Sequence, residues 1–150
     1  MGKGFELTVD QQRCAIQPVE APQQALDPVR LAVPGDTIAG PWTLTAAVAD
    51  PGSWQPDDPW HAAMDRDRVG PELWVRSRYT GERFQPIGMP GEVRLQNVMV
   101  NAKVPRQERA CWPLVVGERG IAWVAGVRTA EWARVTPATR RVLLVRAERR

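Results

Sequence analysis

Residues that carry metal and redox chemistry are scarce in this chain of 150 residues. It has two cysteines, Cys14 and Cys111, and one histidine, His61. Two cysteines far apart in sequence cannot supply the closely spaced pairs of a zinc knuckle or a disulfide framework. A single imidazole likewise excludes sites built from several histidines. We therefore interpret both cysteines as small buried apolar residues and expect a cytoplasmic protein.

Membrane segments and nucleotide-binding motifs are also missing from the sequence. No segment approaches the roughly 20 apolar residues of a membrane span, and no charged and apolar leader opens the chain, so we expect no membrane contact. There is no Gly-rich phosphate loop, no Gly-x-Gly-x-x-Gly, and no nucleophile next to a base. The chain is therefore expected to have no catalytic activity, cofactor or metal of its own.

Positive charge is abundant but unevenly distributed. Residues 1–70 contain five basic and ten acidic side chains, whereas residues 71–150 contain fifteen basic and seven acidic ones. Nearly all cations of the second half are arginine, whose planar guanidinium suits phosphate groups. This asymmetry favours a polyanionic partner such as a nucleic acid. The alternative is the arginine bias of a GC-rich genome.

The apolar pattern predicts an α+β fold, strand-rich and with one clear short helix. Strands are expected at residues 5–9, 13–16, 29–33, 42–48, 73–78, 114–116, 121–125 and 142–145. A helix is expected over 92–102, because Leu95, Val98, Met99 and Ala102 recur at helical spacing. A short helical turn is expected over Arg106–Ala110. Breaker residues predict loops at 34–36, 50–59 and 79–91.

Proline-rich stretches suggest how the chain is divided. Residues 18–28 hold three prolines without periodicity, so we place a remnant β-hairpin of a preceding domain at 1–17, a linker at 18–26 and one domain at 27–150. We expect Trp74, Trp112 and Trp123 in the core. Trp54 and Trp60 lie near the second proline-rich loop, where each either pins the loop to the body or stacks on a nucleobase.

An acidic cluster near the single histidine has two interpretations. Asp57, Asp58, Asp65 and Asp67 form a solvated acidic loop or, less simply, attract a divalent ion. Their spacing does not follow an ordered ligand pattern. The solvated loop is therefore the preferred interpretation, with His61 as a surface or packing residue.

The stretch from residue 76 to residue 109 carries the strongest indication of function. It places basic side chains around a loop rich in glycine and proline and around the expected helix. The candidate nucleic-acid-binding residues are Arg76, Arg78, Arg83, Arg94, Lys103, Arg106 and Arg109. Such loops present side chains on a fixed backbone. The alternative is an ordinary solvated helix face with extended arginine side chains.

This stretch resembles the bacterial tRNA(Ile)-lysidine synthases. Residues 78–89, RYTGERFQPIGM, are similar to the family's arginine, Gly-Asp-Arg-Phe and Pro-x-Gly-Met pattern. The similarity continues through Lys103–Pro105, Trp112–Leu114, Trp123–Gly126 and Val135–Arg141. It is clearest over residues 60–146 and weaker back to about residue 27.

The resemblance implies a C-terminal tRNA-binding domain with a β-sandwich-like fold, shared with a domain of the phenylalanyl-tRNA synthetase β subunit. The whole enzyme would use ATP and Mg²⁺ in an N-terminal catalytic domain to convert the wobble cytidine of tRNA(Ile) to lysidine. Its C-terminal domain would grip the acceptor-stem side of the tRNA. The alternative is a module that packs on the enzyme's other domains, with only incidental RNA contact.

The resemblance assigns individual residues to two groups, basic positions and residues that shape the loop. Arg83, Lys103 and Arg109 match basic positions of the family. The residues that shape the loop are Gly81, Glu82, Phe84, Pro86 and Gly88. Glu82 stands where the family usually has aspartate, so its capping role is an open question, as is an ion pair with Arg83. Val93 and Arg94 supply one cation where the family often has two.

Overall fold

Three antiparallel β-sheets organise the residues that the computed structural model describes, 25–52 and 56–150. The strands are β1 (Val29–Arg30), β2 (Gly35–Ala39), β3 (Trp42–Ala49), β4 (His61–Asp65), β5 (Trp74–Arg76), β6 (Arg83–Phe84), β7 (Val93–Arg94), β8 (Leu114–Gly117), β9 (Gly120–Val124), β10 (Arg128–Thr129) and β11 (Val142–Arg149). The helices are α1 (Arg66–Val69) and α2 (Leu95–Asn101), with 3-10 turns at Arg106–Cys111 and Glu131–Ala133.

The five-stranded sheet has the order β10-β9-β8-β5-β1. Its centre is the hairpin β8–β9, in which Gly117 pairs with Gly120, as the sequence predicts. A Cβ atom at position 117 would lie 2.5 Å from the carbonyl oxygen of Val69. Only glycine therefore lets α1 approach this sheet so closely.

The four-stranded sheet has the order β2-β3-β11-β4. Its long strand β11 pairs with β3 from Val142 opposite Ala49 to Arg149 opposite Trp42. The sequence predicts only residues 142–145 of this strand. The remaining part is mostly charged and buries only Ala147, so it lacks an apolar pattern that would predict a strand. Both larger sheets contribute to one hydrophobic core. The predicted strand-rich α+β fold with a sandwich-like core is therefore confirmed.

Two strands and one short helix are not predicted from the sequence pattern. Strand β2 begins at Gly35, within a predicted loop, and it forms a tight hairpin with β3. Strand β4 begins at His61 and contains two alanines directly after it, and alanine is a weak strand former. His61 therefore lies in a strand and not in the acidic loop, because pairing with β11 outweighs local propensity. Helix α1 follows because the Asp65 side chain accepts hydrogen bonds from the first backbone amides.

The predicted helix at 92–102 is real but shorter. Helix α2 begins at Leu95, because Val93 and Arg94 pair with β6 instead. Leu95 and Met99 are fully buried and Val98 packs against the core, whereas Ala102 is exposed. The predicted turn at Arg106–Ala110 is confirmed as a 3-10 turn that ends at Cys111. Strand β1 covers only the first two residues of the expected 29–33.

The burial of the tryptophans differs in part from the expectation. Trp112 and Trp123 are buried as predicted, but Trp74 is 40% exposed, because it alternates with the buried Leu73 and Val75. The Trp60 ring stacks on Trp42 with centroids 5.5 Å apart. It also lies against Trp112, with centroids 5.6 Å apart, and therefore pins its segment to the body.

The N-terminal predictions fall on the least described part of the chain. The hairpin at 1–17, most of the linker and Trp54 lie outside the described residues. Leu26, at the end of the expected linker, is buried, and its amide donates to Oγ of Ser77 at 2.6 Å. The domain boundaries themselves stay predictions. Among the described residues, no helix has the length and apolar character needed to cross a membrane.

Candidate nucleic-acid interface

A buried ion pair fixes the loop that follows β5. The guanidinium of Arg76 donates to both carboxylate oxygens of Glu82, at 3.0 and 2.6 Å. The two side chains are only 10% and 14% exposed. The same carboxylate accepts a hydrogen bond from the amide of Tyr79 at 3.0 Å. Glu82 is therefore the capping residue of the loop, and its ion-pair partner is Arg76 rather than Arg83.

The electrostatics of Glu82 follow from this geometry. Burial by itself raises the pKa of the carboxyl, but the hydrogen bonds from Arg76 and Tyr79 outweigh it, so the pKa lies below its ordinary value. The carbonyl of Glu82 also accepts the amide of Leu95 at 3.0 Å. This bond ties the loop to the first residue of α2.

The short sheet β6–β7 places two arginines directly opposite each other. Arg83 pairs with Arg94, and the neighbouring Phe84 is buried on the other side. The Arg83 guanidinium donates to the carbonyl of Glu92 at 3.3 Å, so the backbone holds it. Like charges in directly opposite positions destabilise a sheet, so this arrangement is not explained by local stability.

The loop segments before and after β6 are held by the residues that the sequence selects. Gly81 and Gly88 have φ of 76° and 82°, which only glycine adopts without strain. Pro86 forms a bridge with Ala130, and the amide of Gly88 donates to Oε1 of Glu131 at 2.9 Å. The first half of the loop after β6 is thereby fixed to the segment at Ala130 and Glu131.

Helix α2 ends at a lysine in the left-handed conformation. Lys103 has φ of 63°, and it is the one residue other than glycine with positive φ among the described residues. The amides of Lys103 and Val104 donate to the carbonyls of Val100 and Met99, both at 3.0 Å. These bonds form a Schellman motif, which ordinarily favours glycine at this position. The side chain of Lys103 is exposed.

The turn after α2 carries the last two candidate residues. Arg106 is exposed, whereas Arg109 is half-buried and donates from Nε to the carbonyl of Val104 at 3.1 Å. Arg109 therefore braces the backbone that presents Lys103. It retains the rest of its guanidinium for other contacts.

A cleft of about 450 Å³ lies between the loop and the start of α2. Its walls include Arg78, Tyr79, Arg94 and Gln96. Tyr79 and Gln96 are absent from the residues selected by charge. Tyr79 could have been selected from the sequence, because it is an aromatic residue between two cationic positions.

The structure thus separates the seven predicted residues into two groups. Arg76 is buried, and its guanidinium pairs with Glu82 and holds the loop in this structure. The other cations make no ion pair within residues 25–52 and 56–150, and they lie around α2 and its flanking loops. They are Arg78, Arg83, Arg94, Lys103, Arg106 and Arg109.

The acidic cluster has mainly structural partners. Asp65 is buried, caps α1, and accepts a hydrogen bond from Oγ1 of Thr139 at 2.8 Å. Nδ1 of His61 lies 2.9 Å from a carboxylate oxygen of Asp58. Hydrogen bonding to His61 is the main reason that the pKa of Asp58 is lowered. Asp57 lies near enough to complete a three-residue cluster, but exposed acidic groups alone do not define a metal site.

Cys111 behaves as a buried apolar residue, as expected. It is 1% exposed, and burial raises the pKa of its thiol. A raised thiol pKa lowers the fraction of reactive thiolate.

The fold defines a class of strand-rich α+β domains with few helices. The crystal structure of a TilS C-terminal domain matches it with a TM-score of 0.73 at 24% identity, over 83% of this chain and 97% of that one. An N-terminal fragment of the phenylalanyl-tRNA synthetase β subunit from Pyrococcus horikoshii matches with a TM-score of 0.51 at 19% identity. That match covers 58% of this chain and 27% of the fragment.

The family model of the TilS substrate C-terminal domain matches residues 73–145. The tRNA(Ile)-lysidine synthase of Symbiobacterium thermophilum is 36% identical over 159 residues, covering 99% of this chain and 32% of that protein. The enzyme of the same name from Dehalococcoides mccartyi is 43% identical over 84 residues, covering 56% and 18%. The chain thus spans a third or less of these relatives, and it carries the C-terminal domain of the TilS family.

Proposed function

We propose that this chain is the tRNA-binding, non-catalytic C-terminal part of a cytoplasmic tRNA(Ile)-lysidine synthase. In this proposal, another domain of the parent enzyme uses ATP, Mg²⁺ and lysine to modify the wobble cytidine. The described domain grips tRNA(Ile) on its acceptor-stem side. It contributes binding energy and orientation, and it holds neither ATP nor metal.

The observation that carries this proposal is the row of cations without carboxylate partners around α2. Arg94 lies just before the helix and Lys103 just after it, about 14 Å apart along the axis at the rise of an α-helix. Arg83 faces Arg94 across β6–β7, and Arg106 follows in the next turn. Positive charges kept together without neutralisation favour an anionic ligand.

The way in which these cations are held supports RNA as that ligand. Arg83 and Arg109 donate to backbone carbonyls, and the Lys103 backbone is fixed by the Schellman motif. The loop is braced by the Arg76–Glu82 pair. A fixed array of cations suits an A-form stem, because duplex RNA is recognised mainly through its backbone and its shape.

Titration of purified protein with tRNA(Ile), followed by fluorescence anisotropy, tests the proposal. With about four phosphate contacts, the logarithm of the affinity should fall against the logarithm of salt concentration with a slope of roughly −3 to −4. Absence of binding in low salt at tens of micromolar protein, on the order of the weakest non-specific affinities, would favour the packing module instead. Measurable ATP–pyrophosphate exchange by the pure chain would contradict the non-catalytic assignment.

A further inference from the structure

The aromatic side chain in the cleft has a feature that phosphate binding does not explain. Tyr79 is 58% exposed, although it lies in a loop whose backbone is firmly fixed. One face of its ring is covered by Arg76, whose guanidinium carbon lies 3.8 Å from the ring centroid. The exposed area therefore lies mainly on the opposite face and on the ring edge.

The support beneath this ring is rigid. Arg76 is held by two hydrogen bonds to Glu82 and by a third to the carbonyl of Ser77 at 2.9 Å. Glu82 in turn accepts the Tyr79 amide, so a single ion pair fixes both the ring and its backbone. A flat surface fixed before binding lowers the entropy lost when a ligand stacks on it.

The charges around the ring select the kind of ligand. Arg78 and Arg94 line the same cleft, and neither makes an ion pair within the described residues. An apolar peptide would leave both cations without an anion. A nucleotide instead offers a base for the ring and a phosphate for the arginines. Bases within a duplex are already stacked on both faces, so the ring requires a base outside the duplex.

We infer that Tyr79, backed by the buried Arg76–Glu82 pair, is a stacking platform for an unpaired nucleobase adjoining the end of the bound RNA stem. This inference rests on the proposed tRNA binding and adds a subsite to it. The phosphates of the stem contact the cations around α2, and the unpaired base covers the free face of Tyr79.

Two RNA hairpins of identical stem sequence, one blunt and one with an unpaired 3′ extension, test the subsite. We expect wild-type protein to bind the extended hairpin about tenfold more tightly, since stacking on one aromatic side chain contributes on that order. Tyr79→Phe should preserve this preference. Tyr79→Ala and Tyr79→Leu should abolish it, because leucine keeps apolar bulk but offers no aromatic face. Affinity for the blunt hairpin should change little in every variant.

Ile38→Ala provides a matched control. Ile38 is 57% exposed, close to the exposure of Tyr79, but it lies on β2 in the other sheet. This variant should bind both hairpins as the wild type does. A 2-aminopurine in the extension should be quenched by wild type, but not by Tyr79→Leu. Thermal melting of each variant checks that it remains folded.

The outcomes separate the two levels of the inference. If wild-type protein binds both hairpins equally, or if Tyr79→Leu retains the preference and the quenching, the platform is wrong while RNA binding stands. If wild-type protein binds neither hairpin in low salt, the proposed tRNA binding fails and the platform fails with it.

Discussion

Two arginine-rich regions of this chain differ in how their charges are balanced. In the β11 region, residues 128–150, most arginines have a carboxylate partner: Arg134 with Glu131, Arg141 with Asp67, Arg146 with Glu148 and Arg149 with Glu108. In the α2 region, residues 76–109, only Arg76 is paired among the described residues. Arginine-rich composition is therefore combined with frequent ion pairing in the β11 region and with one paired arginine in the α2 region.

The difference also shows how a charged surface is kept in shape. Backbone carbonyls rather than carboxylates hold Arg83 and Arg109, so their charges remain unbalanced. Within the region, the carboxylate of Glu82 pairs with Arg76 below the surface and orients the loop, whereas Glu108 pairs with Arg149 of the other region. A cluster of like charges costs stability, which is recovered only when an anion binds.

Removing the buried carboxylate should produce the largest effect. Glu82→Ala leaves the guanidinium of Arg76 buried without its partner, so we expect a loss of about 3 kcal/mol in unfolding free energy, measured by urea denaturation. Glu148→Ala, which breaks the exposed pair with Arg146, is the matched control and should change stability very little. Equal losses in the two variants would remove the distinction between buried and surface pairs.

Removing two cations from either region tests which of the two regions tRNA binding depends on. Arg94→Ala with Lys103→Ala should weaken tRNA binding about 100-fold at low salt, at about 1.5 kcal/mol for each charged contact. The salt slope should become less steep by about two. Arg141→Ala with Arg146→Ala removes the same net charge from the β11 region. Should this control lose as much affinity, binding would depend on net charge and not on the α2 surface.

Lys103 allows stability and binding to be separated. Lys103→Gly relieves the positive φ of 63°, so we expect unfolding free energy to rise by about 1 kcal/mol while one phosphate contact is lost. Lys103→Ala should weaken binding equally without raising the melting temperature. A glycine variant that is both more stable and wild-type in affinity would show that the lysine is not an RNA contact.

The smallest effect is expected on acidification. Because the folded-state pKa of Glu82 lies below its ordinary value of 4.5, the pair stabilises the fold fully above that pH and loses its contribution as the pH falls through the folded-state pKa. The stability difference between wild type and Glu82→Gln should therefore shrink below about pH 4.5. Denaturation followed by circular dichroism at several pH values measures this stability difference. A difference that does not change with pH would exclude the ionised pair as its source.

Local patterns in the sequence determined much of the domain. The apolar stripe of α2, the hairpin glycines of β8–β9 and the turn after Lys103 all depend on residues close in sequence, and each was predicted near its observed place. The glycine and proline positions of the 79–91 loop also followed from backbone preferences. The motifs in this stretch identified the family, which the comparisons bear out.

Only the tertiary structure decided which charges remain unbalanced and which aromatic faces remain open. Strands β2 and β4 form because β3 and β11 lie beside them. Gly35 and Asp36 at the start of β2 and the two alanines of β4 are weak strand formers by themselves. Arg76 and Arg78 are alike in sequence, yet one is buried against Glu82 and the other lines the cleft. Ion pairing and exposure depend on side chains brought together by folding, and no short-range pattern encodes that proximity.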